Sequence, residues 1–151
     1  MTGAARTSSC VFCAADDEGD GQGRLIVHRG QLAYVILNLY PYNNGHLMVV
    51  PRRHVATLAD LATEEPAELF TLTRLAEIAL TEAYAPQGLN VGINLGRAAG
   101  AGVADHLHIH LVPRWGGDTN FMTVVGASRV LPETLEQTVT KLRPIFAKLT
   151  S

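Results

Sequence analysis

The sequence predicts an α+β fold: a sheet of about five antiparallel strands with one long helix and a C-terminal helix to one side. Three observations carry this. Five short apolar runs are bounded by turn residues, one long segment repeats its apolar residues at helical spacing, and most connections between successive strands are too short for crossovers. The 151 residues have the length of one domain, 1–151, enough to bury roughly 68–70% of the surface an unfolded chain exposes.

The elements follow in order. Residues 16–23 are polar and glycine-rich and read as a loop after Cys10 and Cys13. Residues 24–29 and 31–38 are short apolar runs split by Gly30, as in a hairpin. The Tyr40-Pro41-Tyr42-Asn43-Asn44-Gly45 stretch carries strong turn chemistry, and a third strand over 46–51 ends at Pro51. Thr63 is placed to cap a helix whose first turn holds Glu64, Glu65 and Pro66. Its apolar stripe is Leu69, Leu72, Ala76, Ala79 and Ala83, and Pro86 lies beyond its end. Residues 89–95 and 107–113 read as two further strands joined by the small-residue segment 96–103. A second helix, a C-terminal extension, is expected over about 132–149, with Pro144 placed to kink it. No repeat or low-complexity tail interrupts this order.

Composition bounds the function. The chain is 47% hydrophobic and 17% charged with a net charge of −2, so it lacks the basic excess of a general nucleic-acid binder. No apolar run approaches membrane-spanning length, and the amino end carries no signal-peptide core, which makes the cytoplasm the expected location. In a reducing compartment Cys10 and Cys13, a C-x-x-C pair, read as a metal knuckle or redox pair rather than a disulfide.

The most informative segment is His106-Leu107-His108-Ile109-His110-Leu111-Val112. In a strand this alternation sets three imidazoles on one face and Leu107, Ile109 and Leu111 on the other, the core face. Successive imidazoles have backbone anchors about 6.8 Å apart, close enough to serve one substrate. Two chemistries compete for such a ladder: a three-histidine metal site, or a covalent nucleophile with flanking helpers. The cysteines bear on the choice. A tetrahedral zinc site needs two ligands beyond Cys10 and Cys13, and His54 and His106, both at strand ends, are the natural candidates. Two thiolates with two neutral imidazoles make a neutral, closed, structural Zn2+ site. With His106 so used, only His108 and His110 remain for chemistry, which disfavours a three-histidine catalytic metal.

The ladder matches the signature histidine-φ-histidine-φ-histidine-φ-φ, and the chain resembles the histidine triad (HIT) family. Residues 36–41, 45–51 and 94–96 are similar to that family's nucleotide-site segments. Pro113-Arg114-Trp115-Gly116-Gly117-Asp118-Thr119-Asn120-Phe121 resembles a bacterial branch related to dinucleoside polyphosphate (diadenosine tetraphosphate) phosphorylases and hydrolases. The likeness covers about residues 10–121 and implies a HIT-like fold, dimeric through a joined sheet. It also implies zinc on Cys10, Cys13, His54 and His106.

By the same resemblance His108 attacks the α-phosphorus of a nucleotide or dinucleotide substrate to form a nucleotidyl-histidine, which water or phosphate resolves. His110 and His46 would stand near the non-bridging oxygens, Asn38 would hold the ribose hydroxyls, and Asn94 would lie near the phosphates. The backbone of Ala101, Gly102 and Val103 can line a phosphate-binding concavity. Where many family members carry serine or glutamine to assist the leaving group, this chain has Gly102. Polyphosphate cleavage by water or phosphate and phosphoramidate cleavage therefore both stand as expectations, the former first. A regulatory nucleotide-binding zinc module is the alternative of another class. Arg52, Arg53, Arg97 and Arg114 read as surface cations or distal-phosphate clamps, and Trp115 as a base-stacking or sheet-capping residue.

Overall fold

Continuous apolar runs build the centre of the sheet. In the computed structural model, which describes residues 9–17, 22–118 and 132–151, strands β2 (Ala33–Leu37) and β3 (Leu47–Pro51) are buried at every position. With β1 (Ile26–Arg29), β4 (Gly88–Ile93) and β5 (Ile109–Arg114) they form one antiparallel sheet in the order β1-β2-β3-β5-β4. The expected five-stranded α+β architecture is present. β5 enters between β3 and the edge strand β4, so His110 sits in register with Met48 on one side and Gly92 on the other.

Helix α2 (Glu65–Tyr84) packs on β2, β3 and β5, and helix α3 (Leu135–Thr150) packs on α2 and β1. Leu69, Leu72, Ala76, Ala79 and Leu80 of α2 and Val139, Leu142 and Phe146 of α3 are buried in one core with Tyr34, Val35, Val49 and Leu111. Neither helix, nor any other among the described residues, is long and apolar enough to cross a membrane.

Several boundaries differ from the sequence reading. Residues 22–25 form a 3-10 turn, so β1 starts at Ile26, and residues 18–21 of the anticipated loop lie outside the described residues. Thr63 does not cap α2. The cap position is Glu64, with no side-chain bond, and the Glu65 carboxylate accepts from the Ala62 N–H at 2.6 Å and from Arg53 at 2.8 and 2.9 Å. The Arg53–Glu65 ion pair thus fastens the chain that leads into the helix, with no hydroxyl capping its first amides. Pro144 lies inside α3 without ending it, and the helix opens three residues after 132 with a capping box between Thr134 and Gln137.

One helix was not anticipated. α1 (Val11–Asp16) is six residues long, too short for periodicity to reveal, and it buries Phe12, Cys13, Ala14 and Ala15. The Tyr34 hydroxyl donates to the Phe12 carbonyl at 2.6 Å, which fastens α1 to β2. At Gly30 the Glu68 carboxylate crowds the space a side chain would need while it accepts the Leu32 and Ala33 amides at 2.7 and 2.8 Å.

Candidate active site and metal centre

The segment 106–110 joins two clusters. It begins before the strand proper: β5 opens at Ile109, and the Leu107 amide instead donates to the Val55 carbonyl at 2.7 Å. Leu107, Ile109 and Leu111 face the core as expected, 2, 9 and 0% exposed. The rings of His106 and His108 both pack on Phe12, with centroids at 5.4 and 4.9 Å.

The first cluster gathers Cys10, Cys13, His54 and His106, all buried. Cys10 Sγ and His106 Nδ1 are 3.3 Å apart, Cys13 Sγ and His54 Nδ1 3.4 Å, Cys13 Sγ and His106 Nδ1 3.7 Å, and the two Nδ1 atoms 3.2 Å. Ligand atoms on a tetrahedral zinc stand about 3.3–3.8 Å apart, given Zn–N and Zn–S bonds of about 2.0 and 2.3 Å. The donor set and its spacing therefore fit a metal ion of that kind. The Nε2–H of His106 donates to the Pro51 carbonyl at 2.7 Å, which leaves Nδ1 as the lone-pair atom facing the cysteines. Among the described residues this is the only such group of ligand atoms. Because His106 belongs to it, the three imidazoles do not converge on a shared metal.

The second cluster is His46, His108 and His110. His108 Nδ1 lies 2.8 Å from the His106 carbonyl and donates to it, so Nε2 carries the free lone pair. The Tyr42 amide donates to His46 Nδ1 at 3.1 Å, which places the His46 proton on Nε2. That Nε2 is 2.9 Å from His110 Nδ1 and donates to it, leaving the His110 proton on its own Nε2. Hydrogen bonds running back to two main-chain groups, the His106 carbonyl for His108 and the Tyr42 amide for His46 and His110, thus fix all three tautomers. The rings of His108 and His110 meet edge to face at 4.8 Å.

Electrostatics keep these rings neutral. Burial lowers His46 to about 4, reinforced by His110 and His108 nearby. It also lowers His110, with a contribution from His108, and lowers His108 against an opposing effect of the His106 carbonyl. A neutral imidazole with a directed lone pair beside imidazole N–H donors suits attack on an electron-poor phosphorus.

The remaining expected residues are less concentrated. The Asn38 carbonyl oxygen accepts the Tyr40 amide at 2.9 Å, and its Nδ2 approaches His46 Nε2 to 3.4 Å. Asn94 is exposed on the chain leading into 96–103, where Ala101 is buried, Gly102 exposed and Val103 packed against the core. Gly102 and Val103 line a depression of about 280 Å³ with Arg97, Asp105 and His54. A side chain at Gly102 would meet nothing within 4 Å, so the glycine is not there for want of room. Arg53 is held by Glu65 and Arg114 by Asp118, each bidentately, while Arg52 lies 3.6 Å from Asp16. Trp115 is half-buried, and Thr119, Asn120 and Phe121 lie outside the described residues. Sequence reasoning missed Phe12 and Tyr42. Phe12 is invisible because its helix is short, and Tyr42 acts through its main-chain amide, which every residue but proline has.

A buried two-cysteine, two-histidine ligand cluster beside a neutral histidine trio, on a five-stranded antiparallel sheet, defines a histidine-rich α+β class of protein. The HIT domain family matches residues 22–117, and the chain belongs to that family. It is 52% identical over 124 residues to "AP-4-A phosphorylase" of Mycobacterium tuberculosis (strain H37Rv), covering 82% of this chain and 61% of that protein. The chain thus spans about three-fifths of that relative's length. It is 32% identical to "adenosine 5'-monophosphoramidase" of Schizosaccharomyces pombe, with 70% of this chain and 74% of that protein covered. Among solved structures, a Zn-bound histidine triad family protein from Mycobacterium smegmatis superposes with a TM-score of 0.75 at 30% identity, over 94% of this chain and 96% of that one.

The depressed His46 value has a signed consequence. Above pH 6.5 the ring is neutral folded or unfolded; between 6.5 and about 4 the unfolded chain takes up a proton that the folded chain refuses. Stability is therefore lost as pH falls across that window. Urea unfolding of wild type and His46→Gln at pH about 7 and about 4.5 will show the larger acid loss in wild type. Equal losses would mean that His46 stays accessible to protons.

Proposed function

We propose that this protein cleaves dinucleoside polyphosphates of the diadenosine tetraphosphate type through a nucleotidyl-histidine on His108. The observation that carries the reading is the His108 ring itself: its Nδ1–H is bound to the His106 carbonyl and its Nε2 lone pair is free. The 52% identity to the phosphorylase supports this substrate class above others.

The His108 Nε2 lone pair forms the N–P bond to the α-phosphorus while the bond to the bridging oxygen breaks, and a nucleoside polyphosphate leaves. Phosphate or water then attacks the same phosphorus from the vacated side and releases His108, giving a nucleoside diphosphate or monophosphate. His110, with its proton on Nε2, donates to a non-bridging oxygen as charge grows there, and His46 orients His110. Asn38 binds the ribose, and Asn94 with the backbone of Ala101, Gly102 and Val103 binds the phosphates. Phosphoramidate cleavage is the second reading, favoured by the similarity to the phosphoramidase. It shares the nucleotidyl-histidine and differs only in the leaving group.

Intact-mass spectrometry after brief mixing with diadenosine tetraphosphate will show an added nucleotide on wild type and none on His108→Ala. Nucleoside diphosphate formed only when phosphate is present identifies phosphorolysis. Rapid amine release from a nucleoside phosphoramidate, with inert dinucleotides, would replace the first reading by the second. His110→Ala should lose roughly a hundredfold in kcat, the scale of one donor to a developing oxyanion.

We infer that Cys10, Cys13, His54 and His106 hold zinc, which, four-coordinate and closed to water, supplies structure rather than Lewis-acid chemistry. Elemental analysis will find about one zinc per chain, and Cys13→Ser will lose it with a lower melting temperature. A metal-free wild type with unchanged melting would end this reading.

The chain pairs with a second copy through the edge of β4, whose outer edge no other strand among the described residues covers and where Val91 is 52% exposed, with exposed Leu95 just beyond. Sedimentation will report a dimer, and Val91→Lys will shift it toward monomer; a wild-type monomer would refute the pairing.

A further inference from the structure

The tautomer chain ends on the Tyr42 amide, and the turn that presents this amide is held by a cluster outside the histidines. Asn43 Nδ2 donates to the Pro113 carbonyl at 2.9 Å and to Asp118 Oδ2 at 2.8 Å. The Asn43 carbonyl in turn accepts the His46 amide at 3.2 Å. Asp118 also accepts the Arg114 guanidinium through Nε and Nη2, both at 2.8 Å, and the Trp115 amide at 3.0 Å. Arg114 reaches Asn90 Oδ1 at 2.6 Å and lies 5.4 Å from the centre of the Tyr42 ring. The Asp118 carboxyl is held far below the usual range, first by the Arg114 hydrogen bonds, so it stays an acceptor for all these donors.

The Asn43 contacts bear on the residue next to the amide that sets the His46 tautomer, Arg114 lies against the Tyr42 ring, and the other bonds hold Asp118 and Arg114 in place. From the far side, the Glu133 amide donates to Asn44 Oδ1 at 3.2 Å. Gly45 adopts φ +80°, which lets the turn close against Tyr84. Were the turn to shift, Tyr42 N–H would leave His46 Nδ1, and that ring could carry its proton on either nitrogen. The His46 to His110 bond would then reverse or break, and the His110 Nε2 proton would no longer be assured.

We propose that Asn43 and Asp118 are positioning residues for the reaction: they anchor the 42–46 turn to the end of β5, so that one main-chain amide dictates the tautomers of His46 and His110. The inference rests on the proposed role of His110 as donor to the reacting phosphoryl group. No proton is consumed; the device selects which of two neutral ring forms is populated.

The test reads the rings directly. Long-range proton–nitrogen correlation spectra of the nitrogen-labelled full chain, without substrate and near neutral pH, distinguish the two neutral tautomers of each histidine. Wild type should show His46 and His110 with the proton on Nε2. Asn43→Ala should mix the His46 tautomers and lower kcat about tenfold with little change in KM. Asp118→Asn, which keeps an acceptor for Asn43 but removes the ion pair, should move both readouts the same way by less. A single Nε2–H form of His46 in folded Asn43→Ala overturns the proposal, as does mixed tautomers with unchanged kcat. Should Asn43→Ala not fold, the same criteria applied to Asp118→Asn decide. Failure of wild type to cleave dinucleotides would remove the functional reading and leave the ring spectra as they are.

Discussion

The interaction on which the site depends is the bond from the His108 ring to the His106 carbonyl. His106 serves two clusters with two different groups: its ring faces Cys10, Cys13 and His54, while its carbonyl fixes the tautomer of His108. The Pro51 carbonyl and the Val55 carbonyl hold the same short segment to the end of β3 and the turn after it. A displacement of the metal-ligand cluster would therefore reach His108 within two residues of backbone. Phe12, packed against both rings, makes that coupling steric as well as electrostatic.

Strand order is what brings the second cluster together. His46 precedes β3 and His110 lies in β5, far apart in sequence and adjacent in the sheet because β5 is inserted between β3 and β4. Had β4 taken the place next to β3, the two rings would be separated by a strand about 4.8 Å wide and could not share a hydrogen bond. The edge position of β4 follows from its composition: Gly88, Asn90 and Gly92 give it little to bury, whereas β2 and β3 are apolar throughout.

Much of this was legible in the residues. The histidine alternation fixed the identity of the ladder, and the C-x-x-C spacing together with His54 gave the four metal-ligand candidates that the structure gathers within 4.8 Å of one another. Legibility failed where function rests on main-chain groups or on short elements. The Tyr42 amide and the His106 carbonyl leave no mark on side-chain pattern. The turn over Asn43 read as turn chemistry alone, yet its amide bonds to Asp118 across 75 positions of sequence. Thr63 is not the cap: the chain leading into the helix is held instead by the Arg53–Glu65 pair, a contact no local rule anticipates.

Neutral buried histidines also set how a polyanion would be received. Arg53 and Arg114, two of the four arginines considered as phosphate clamps, are occupied by Glu65 and Asp118. Of the other two, Arg52 lies near Asp16, and exposed Arg97 lines the depression beside Gly102 and Val103. Around His108 the neighbouring donors are uncharged imidazoles whose pKa values are depressed by burial and by nearby imidazoles. A phosphate chain arriving there reverses the second of those effects, since negative charge favours the imidazolium form. Negative charge bound beside these rings would raise the proton affinity of His110 and His46.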